Sequence, residues 1–355
     1  MGNKVLMKGN EALAEAAMRC GCRFFFGYPI TPQTELAAYM AKKMQKNGGT
    51  FLQAESEIAA INMVYGAAGA GARVMTSSSS PGISLKQEGI SYIAGADLPC
   101  LIVNIVRGGP GLGGIQPAQS DYFQATKGGG HGDYHLLVFA PSSVQELADL
   151  TSLAFDKADE YRMPAMIMGD GMLGQMMEPV EFKDFVNLED LPEKPWATTG
   201  TGMKRKKNII NSLYLTPEEL ENLCIERQNR YNKIKETEAL YEEVDTEDAD
   251  LIIVAYGTIA RIAMSAVEEA RKKGLKVGLI RPITLWPFPE KVFEKRRETA
   301  KAFLTVEMSM GQMVEDVKLS VNGKKPVYFY GRTGGMVPQQ AAILAEAEKC
   351  LKANA

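Results

Sequence analysis

The chain has 355 residues, of which 45% are hydrophobic and 23% are charged. These values are typical of a folded protein and argue against a largely disordered chain, and the length suggests about two domains. The formal net charge is −3, so no global basic field favours nucleic acid or anionic lipid as a partner. No apolar run reaches the roughly 18 residues of a membrane-spanning helix, and we expect no membrane association.

Cysteines and histidines are too few and too scattered to indicate a metal centre. The five cysteines include no C-x-x-C motif, and there are two histidines. Neither a zinc ribbon nor an iron–sulfur cluster is therefore expected in this chain. The N-terminus lacks the long apolar stretch of a signal peptide, so we expect a cytoplasmic protein with reduced thiols.

Residues 1–180 alternate helix and strand patterns. Asn10 is a candidate N-cap for the first helix, and Thr31 followed by Pro32 is a candidate start for the second. Strands separated by helices predict a parallel sheet covered on both faces. The predicted strands are 23–27, 51–53, 74–76, 101–106, 136–140 and 165–168, and the predicted helices are 11–20, 31–46, 55–70, 83–93 and 144–161.

A charged segment, residues 181–248, separates this unit from a second one at 249–355. The segment holds a basic run at 204–207 without interleaved aromatic residues, which favours a solvated surface over a nucleic-acid site, and a charged helix at 217–243. Residues 249–355 resume the alternation. The sequence thus predicts an α/β protein with two parallel-sheet domains joined by a charged helical linker. The second unit has predicted strands at 251–255, 277–280, 303–306 and 327–330, and helices at 260–273, 289–300, 311–321 and 338–351.

Two glycine motifs are weak signals. The pattern G-x-G-x-x-G occurs at 109–114 after a strand, but no clean helix and no suitably placed acidic residue follow. A glycine loop beside a ligand is therefore favoured over a nicotinamide-dinucleotide site, which stays an alternative. Gly169-Asp170-Gly171 resembles the start of the diphosphate-binding motif of thiamine-diphosphate enzymes. The window in which a partner asparagine is expected, from Trp196 to about Gly200, has none, which favours a simple turn.

Two polar clusters are candidate ligand contacts. The hydroxyl-rich run 76–80 ends a strand and precedes a helix, where free N–H groups and hydroxyls suit an anion or a polar ring. Glu55 and Glu57 begin a helix whose following residues are apolar. Such carboxylates usually complement the helix dipole, but one at the mouth of a buried helix can equally bind a cofactor nitrogen.

Four segments together resemble 2-oxoacid:ferredoxin oxidoreductases. They are Tyr28-Pro29-Ile30-Thr31-Pro32, the glutamate-bearing helix that begins Glu55-Ser56-Glu57, the loop Arg107-Gly108-Gly109-Pro110, and Gly331-Arg332-Thr333-Gly334-Gly335. The resemblance covers essentially the whole chain in order and spacing, and it is greatest to the alpha subunit of the branched-chain, 2-ketoisovalerate type. It implies a pyrimidine-binding domain for thiamine diphosphate at 1–180 and a transketolase C-terminal-like domain at 249–355.

The resemblance also implies an activity and partners. Such enzymes convert a 2-oxoacid, coenzyme A and oxidised ferredoxin to acyl-CoA, CO₂ and reduced ferredoxin. A beta subunit would hold the diphosphate and Mg²⁺, and gamma and ferredoxin-like delta subunits would accompany it, with the iron–sulfur clusters in the partners. No metal-binding residue is expected in this chain.

By position, the resemblance assigns roles to individual residues. Glu57 would hydrogen-bond N1′ of the aminopyrimidine as the catalytic residue. Thr31 and Arg107 would hold the substrate carboxylate, Arg107 as a forked donor. The expected cofactor contacts are Tyr28, Pro29, Ile30, Ser79 and Ser80.

The loop after Arg107 departs from the 2-oxoglutarate type. It reads Gly111-Leu112-Gly113-Gly114-Ile115-Gln116 and offers no second cation for a distal carboxylate. A neutral, branched aliphatic substrate is therefore favoured, although methyl-level discrimination is worth only about 1–3 kcal/mol. The alternatives are a 2-oxoglutarate or indolepyruvate enzyme and a non-catalytic assembly subunit.

Overall fold

The computed structural model describes residues 4–354. Its first part alternates strands and helices as the sequence predicts, with a short β1–α1 unit in front. The elements are β1 (Val5–Lys8), α1 (Gly9–Arg19), β2 (Phe24–Gly27), α2 (Thr34–Lys43), β3 (Thr50–Gln53), α3 (Glu57–Gly69), β4 (Val74–Ser78), α4 (Ser80–Gly95), β5 (Cys100–Val106), α5 (Tyr122–Thr126), β6 (Leu137–Phe139), α6 (Val144–Tyr161), β7 (Pro164–Asp170), α7 (Gly171–Gln175) and β8 (Met177–Val180).

The second part begins with a long helix and continues as a smaller α/β unit. Its elements are α8 (Pro217–Thr237), β9 (Tyr241–Val244), β10 (Leu251–Val254), α9 (Gly257–Lys272), β11 (Val277–Pro282), β12 (Thr284–Trp286), α10 (Glu290–Arg296), β13 (Ala302–Glu307), α11 (Met313–Val321), β14 (Val327–Gly331) and α12 (Gln340–Ala353). None of the helices in the described range 4–354 is long and apolar enough to cross a bilayer.

Two main sheets carry the fold. The first has seven strands in the order β12-β6-β7-β5-β4-β2-β3, and the second has five in the order β14-β13-β10-β11-β9. The six strands from β2 to β7 run parallel, with Phe24 beside Val74 and Met75 beside Leu101. The predicted α/β fold with two parallel sheets is thereby confirmed.

Three strand pairs are antiparallel, which the alternating pattern does not predict. β1 pairs with β8 as a separate ribbon, β9 adds to the edge of the second sheet, and β12 adds to the edge of the first. β12 lies within the C-terminal part of the chain, so the two sheets are not strictly separate in sequence. These edge strands have only three or four residues each, too few to show a period.

The two units share a continuous core and a set of hydrogen bonds. Apolar side chains of the second sheet, including Phe303 and Ile252, belong to the same core cluster as those of the first. Gln119 donates to the backbone oxygen of Tyr256 (3.0 Å) and accepts from the backbone N–H of Met308 (2.9 Å). The second unit therefore packs directly on the loop that follows β5, and this helps to hold that loop in place.

Two predicted helix starts are wrong. α1 begins at Gly9, so Asn10 lies inside its first turn; the Asn10 amide donates instead to the Pro32 oxygen (2.9 Å). α2 begins at Thr34, so Thr31 is not its N-cap and Pro32 is not its first residue. The bond from Asn10 and the backbone bond from Gln33 N–H to Ile30 O (3.2 Å) hold this segment as a turn.

The linker is only partly helical. The predicted helix 217–243 ends at Thr237, where Glu238 turns to accept from Tyr161 (2.6 Å) and Lys157 (3.0 Å). β9 follows and pairs with β11. The basic run at 204–207 is exposed, as predicted for a solvated surface.

Candidate active site

Four strands of the first sheet deliver the candidate residues to one edge. β2, β3, β4 and β5 run parallel, so the segments that follow them meet at the carboxyl edge of the sheet. Ligands of open α/β sheets bind in this position. Tyr28–Thr31 follow β2, Glu57 follows β3, Ser79 and Ser80 follow β4, and Arg107 follows β5.

Glu57 is the first residue of α3 and is only 7% exposed. Ser56 caps the helix by accepting from Ala59 N–H at 3.1 Å, which fixes where α3 begins. The carboxylate lies over Gly82 of α4: a Cβ atom built there would be 2.7 Å from Glu57 Oε1. Among residues 4–354 the carboxylate receives no hydrogen bond, and Glu55 beside it is exposed. Glu57 is thus a buried acid with its bonding capacity unused.

The serine run at the end of β4 contributes two buried hydroxyls without partners. Ser78 Oγ and Ser79 Oγ are buried, and neither has a hydrogen-bond partner in the described part of the chain. The Cβ position of Gly82 that faces Glu57 would also be 2.1 Å from Ser78 Oγ. Sequence reasoning put Ser78 in the hydroxyl-rich run but did not select it. Its place as the last residue of the fully buried strand β4, just before α4, is the signal that distinguishes it.

Ser80 has a different role from Ser79. Its hydroxyl donates to the backbone oxygen of Arg107 (3.2 Å) and accepts from the backbone N–H of Arg107 (3.1 Å). The Ser80 hydroxyl therefore ties α4 to the end of β5. As a cofactor contact Ser80 stays a prediction, and its hydroxyl is already engaged.

Arg107 is 8% exposed and reaches two loops. Its Nη1 donates to Thr31 O (3.0 Å) and its Nη2 to Leu112 O (3.2 Å), while its buried Nε has no partner among the described residues. The structure therefore brings Arg107 and Thr31 together through the Thr31 backbone oxygen, and their binding of a carboxylate stays a prediction. A buried guanidinium with a free donor suits an anion, because an unsatisfied buried donor is costly.

The glycine loop after Arg107 is exposed and lies against the C-terminal unit. Leu112 and Ile115 are 84% and 57% exposed. A Cβ atom on Gly335 would be 2.4 Å from Gln116 Cβ, so the Gly331–Gly335 segment touches this loop. Tyr28, Pro29 and Thr31 are also exposed. The site thus has a buried floor and an open, partly apolar rim.

Asp170, of the Gly-Asp-Gly triplet, is fully engaged within the protein. Its Oδ1 accepts from the backbone N–H groups of Met172 (2.9 Å) and Leu173 (3.1 Å), and its Oδ2 accepts from Thr258 Oγ1 (2.5 Å). Burial raises the pKa of the Asp170 carboxyl, and these bonds oppose that effect. Across residues 4–354 no three His, Cys, Asp or Glu side chains come together as a metal site.

Lys86 of α4 is a further charged group near the site that sequence reasoning missed. It is 0% exposed, and its Nζ donates to Thr76 Oγ1 at 2.7 Å. Burial lowers the pKa of Lys86 to about 8, while the Glu57 carboxylate acts in the opposite direction. The signal in the sequence is its place in an otherwise apolar helix face, four residues after Gly82.

The arrangement can hold a polar ring and an anion side by side. Glu57, Ser78 and Ser79 offer a carboxylate and two hydroxyls at this sheet edge, and Glu57 and Ser78 both pack closely against Gly82. Arg107 offers a charged donor at the adjacent strand. Such a set suits proton exchange with a ring nitrogen at Glu57 and carboxylate binding at Arg107.

Two family models match the chain. Residues 15–243 match the thiamine-diphosphate-binding domain of pyruvate flavodoxin/ferredoxin oxidoreductases, and residues 249–343 match core domain II of pyruvate:ferredoxin oxidoreductase. The first match spans all of the candidate site residues. The first match ends within β9, and the second begins shortly before β10.

Curated relatives match over nearly full length. The chain is 50% identical to the ketoisovalerate oxidoreductase subunit VorB of Methanothermobacter marburgensis, over 96% of both chains. It is 38% identical to the 2-oxoglutarate synthase subunit KorA of Methanothermobacter thermautotrophicus, over 97% of this chain and 98% of that one.

Solved structures agree on the fold. A 2-oxoglutarate:ferredoxin oxidoreductase from Magnetococcus marinus, with 2-oxoglutarate, coenzyme A and succinyl-CoA bound, superimposes with a TM-score of 0.88 at 29% identity. The match covers 98% of this chain and 65% of that longer one. A split-gene transketolase gives a TM-score of 0.62 at 14% identity, a likeness of fold alone.

Proposed function

Because this chain belongs to the family of 2-oxoacid:ferredoxin oxidoreductases, we propose that it provides the aminopyrimidine half of a thiamine-diphosphate site in a multisubunit complex. The complex would convert 2-ketoisovalerate and coenzyme A to an acyl-CoA and CO₂ while reducing ferredoxin. The observation that carries the proposal is the buried, unbonded Glu57 carboxylate at the same edge of the first sheet as two unpartnered serine hydroxyls.

The carboxylate of Glu57 and the neighbouring serine hydroxyls suit the neutral end of the cofactor. When bound, thiamine diphosphate supplies the carbon nucleophile that attacks a 2-oxoacid and accepts the electrons left by CO₂. Glu57 would hold and exchange the proton at the ring nitrogen N1′ through its Oε1. Ser79 would be a polar contact to the ring, and Tyr28, Pro29 and Ile30 would line the exposed side. Ser80 would act there mainly by fixing Arg107.

Arg107 is proposed to bind the substrate carboxylate, with Thr31 beside it. Its Nε is the free donor, and its two terminal nitrogens already fix the guanidinium against the Thr31 and Leu112 backbones. The loop 111–116 carries no cation, and its side chains include the exposed Leu112 and Ile115. An aliphatic substrate side chain suits this loop better than the second carboxylate of 2-oxoglutarate.

Partner subunits are proposed to complete the site. Both carboxylate oxygens of Asp170 already accept hydrogen bonds, from α7 and from Thr258. We therefore place the diphosphate and Mg²⁺ on a beta subunit. No group of three Cys, His, Asp or Glu side chains that could hold a metal ion occurs within residues 4–354. We therefore assign the iron–sulfur clusters to gamma and ferredoxin-like delta subunits. The exposed rim of Tyr28, Leu112 and Ile115 is where the beta subunit would cover the cofactor.

The substrate proposal is tested on the complex purified anaerobically with its partner subunits. Reduction of ferredoxin is followed with 2-ketoisovalerate, 2-oxoglutarate, pyruvate and indolepyruvate, each with and without coenzyme A. We expect the highest kcat/KM for 2-ketoisovalerate and dependence on coenzyme A. A preference for 2-oxoglutarate or indolepyruvate would contradict the substrate assignment, and no activity with any acid would favour an assembly role.

The shared-cofactor proposal is tested by calorimetry. Thiamine diphosphate with Mg²⁺ is titrated into the isolated chain and into the chain combined with its beta subunit. We expect weak or no binding to the isolated chain and tight binding to the combination. Micromolar binding to the isolated chain that Asp170→Ala abolishes would show that this chain holds the diphosphate itself.

A further inference from the structure

Lys86 is a fully buried lysine with one hydrogen-bond partner. Its ammonium has three N–H donors, and among the described residues only the Thr76 hydroxyl, at 2.7 Å, accepts from it. No carboxylate within residues 4–354 forms a direct ion pair with it. A buried charge is expensive unless it is paired, and an apolar side chain of similar volume is often tolerated better at such a place. Packing alone therefore gives no reason for a lysine here.

The face of α4 that carries Lys86 is pressed against α3. Gly82, Lys86 and Gly89 are spaced i, i+4 and i+7 and so share one face of the helix. A Cβ on Gly82 would be 2.7 Å from Glu57 Oε1, and one on Gly89 would be 2.5 Å from Ile61 Cγ2. The two glycines thus let α4 approach α3 closely, with Lys86 between the two points of contact.

Glu57 is the charged group that acts on Lys86. Burial disfavours the charged form of the lysine, and the Glu57 carboxylate opposes this by favouring it. The interaction is mutual, because a charge that stabilises its neighbour is stabilised to the same extent by it.

Resting on the proposed function of Glu57, we propose that Lys86 is a positioning residue that stabilises the ionised Glu57 carboxylate. When Glu57 gives its proton to a ring nitrogen, the proton leaves a carboxyl oxygen and the negative charge stays on Glu57. Lys86 keeps its own proton throughout and contacts neither substrate nor cofactor. Its positive charge favours the negative charge that Glu57 then carries, and Thr76 fixes the ammonium in place.

The first test is a double-mutant cycle on the full chain alone. Melting temperatures are measured at pH 7 for the wild type, Lys86→Met, Glu57→Gln and the double variant. Glu57→Gln removes the charge that favours the buried ammonium, so we expect it to lower the melting temperature by about 2–4 °C. In the Lys86→Met background the same change should have no effect or raise the melting temperature. Additive effects would overturn the proposal.

The second test uses the assembled complex. Lys86→Met should lower kcat about tenfold or more while the KM for the 2-oxoacid changes little, as expected when only proton exchange is impaired. Lys86→Gln, which keeps a polar contact to Thr76 without charge, should show the same loss and replaces Lys86→Met if that variant fails to fold. Lys206→Met, in the exposed basic run, is the matched control and should retain full turnover. Normal kcat in the Lys86 variants would overturn the proposal.

The two tests separate this proposal from the proposed function. If Glu57→Gln keeps full turnover, the assignment of Glu57 fails, whatever the melting temperatures show. If Glu57→Gln abolishes turnover while the Lys86 variants keep it, the function of Glu57 stands and the role of Lys86 fails.

Discussion

Asp170, at the end of β7, and Glu57, at the start of α3, are both buried carboxylates on the carboxyl side of the first sheet. Asp170 accepts from two backbone N–H groups of α7 and from the Thr258 hydroxyl, so it caps a helix and joins the two units. Within the described chain Glu57 accepts no hydrogen bond, and its carboxylate packs against Gly82 together with the unpartnered Ser78 hydroxyl. The hydrogen bonds of Asp170 give it a structural role, whereas the unpaired carboxylate of Glu57 is suited to bind a ligand.

Clustering distinguishes the Glu57 region, because isolated unpartnered atoms occur elsewhere. Buried polar atoms without partners are also found singly, for example His135 Nδ1 and Thr305 Oγ1. Ser78 Oγ, Ser79 Oγ and Arg107 Nε, by contrast, all belong to residues at the carboxyl ends of the neighbouring strands β4 and β5, the sheet edge at which Glu57 also lies. Several costly groups gathered at one sheet edge are explained by a ligand more readily than by several separate defects.

The largest effect is expected from Glu57→Gln, which keeps the size of the side chain and removes its charge. Loss of proton exchange at the ring nitrogen should lower turnover of the assembled complex by about 10²–10⁴-fold. Glu55→Gln, two residues away and exposed, is the matched control and should retain turnover. Subunit composition by gel filtration confirms assembly. If Glu57→Gln and Glu55→Gln were equally active, the unpaired carboxylate of Glu57 would have no role in catalysis.

Arg107→Ala should raise the KM for the 2-oxoacid by about 10–100-fold, since a hydrogen bond to a charged group is worth about 1.5–3 kcal/mol. The KM for coenzyme A should change much less. Steady-state kinetics with both substrates varied measures the two constants. Arg205→Ala, in the exposed basic run, provides a control for loss of an arginine. An unchanged KM for every 2-oxoacid would place the carboxylate elsewhere.

Asp170→Ala should act on stability rather than on chemistry. It leaves the Met172 and Leu173 N–H groups unpaired, so we expect a loss of about 1–3 kcal/mol in the free energy of unfolding. Urea denaturation of the full chain measures this, and Thr258→Val should reproduce part of it. Cofactor affinity of the complex should be unchanged. A large loss of affinity without a loss of stability would make Asp170 a ligand-binding group like Glu57.

His135 tests whether an isolated unpartnered atom affects stability alone. It stacks on Trp286 with ring centroids 4.5 Å apart, and burial lowers the pKa of His135 to about 4. The unfolded chain, with a histidine pKa near 6.5, binds a proton earlier as the pH falls. Stability is therefore lost between about pH 6.5 and 4, by up to about 1.4 kcal/mol per pH unit.

His135→Phe should keep the ring stacking and remove this acid sensitivity. Melting temperatures of wild type and variant, compared at pH 7.5 and 5, measure the difference, and turnover at pH 7.5 should be the same for both. Equal acid sensitivity would show that His135 does not set it.

Much of the site could be predicted because strand order determines it. Buried runs such as Phe24-Phe25-Phe26 identify the parallel strands, and parallel strands deliver their following loops to a single edge. The antiparallel additions β9 and β12 could not be predicted, because a strand of three or four residues depends on a distant partner rather than on its own pattern. Thr31 was misplaced because the helix start is decided by the bond from Asn10 to Pro32, a contact between residues far apart in sequence. Lys86 could not be selected from the sequence, because its proposed role depends on Glu57 of α3, which only the packing of α3 on α4 brings near it.

The most direct test of the Glu57 assignment is the rate at which the C2 proton of bound thiamine diphosphate exchanges with deuterium. The complex is mixed with D₂O, quenched with acid, and the remaining C2 proton is measured by NMR, without any 2-oxoacid. We expect Glu57→Gln to slow this exchange by about 10²–10⁴-fold with the cofactor still bound, while Glu55→Gln leaves it unchanged. Exchange at the wild-type rate in the Glu57→Gln complex would contradict the role of Glu57.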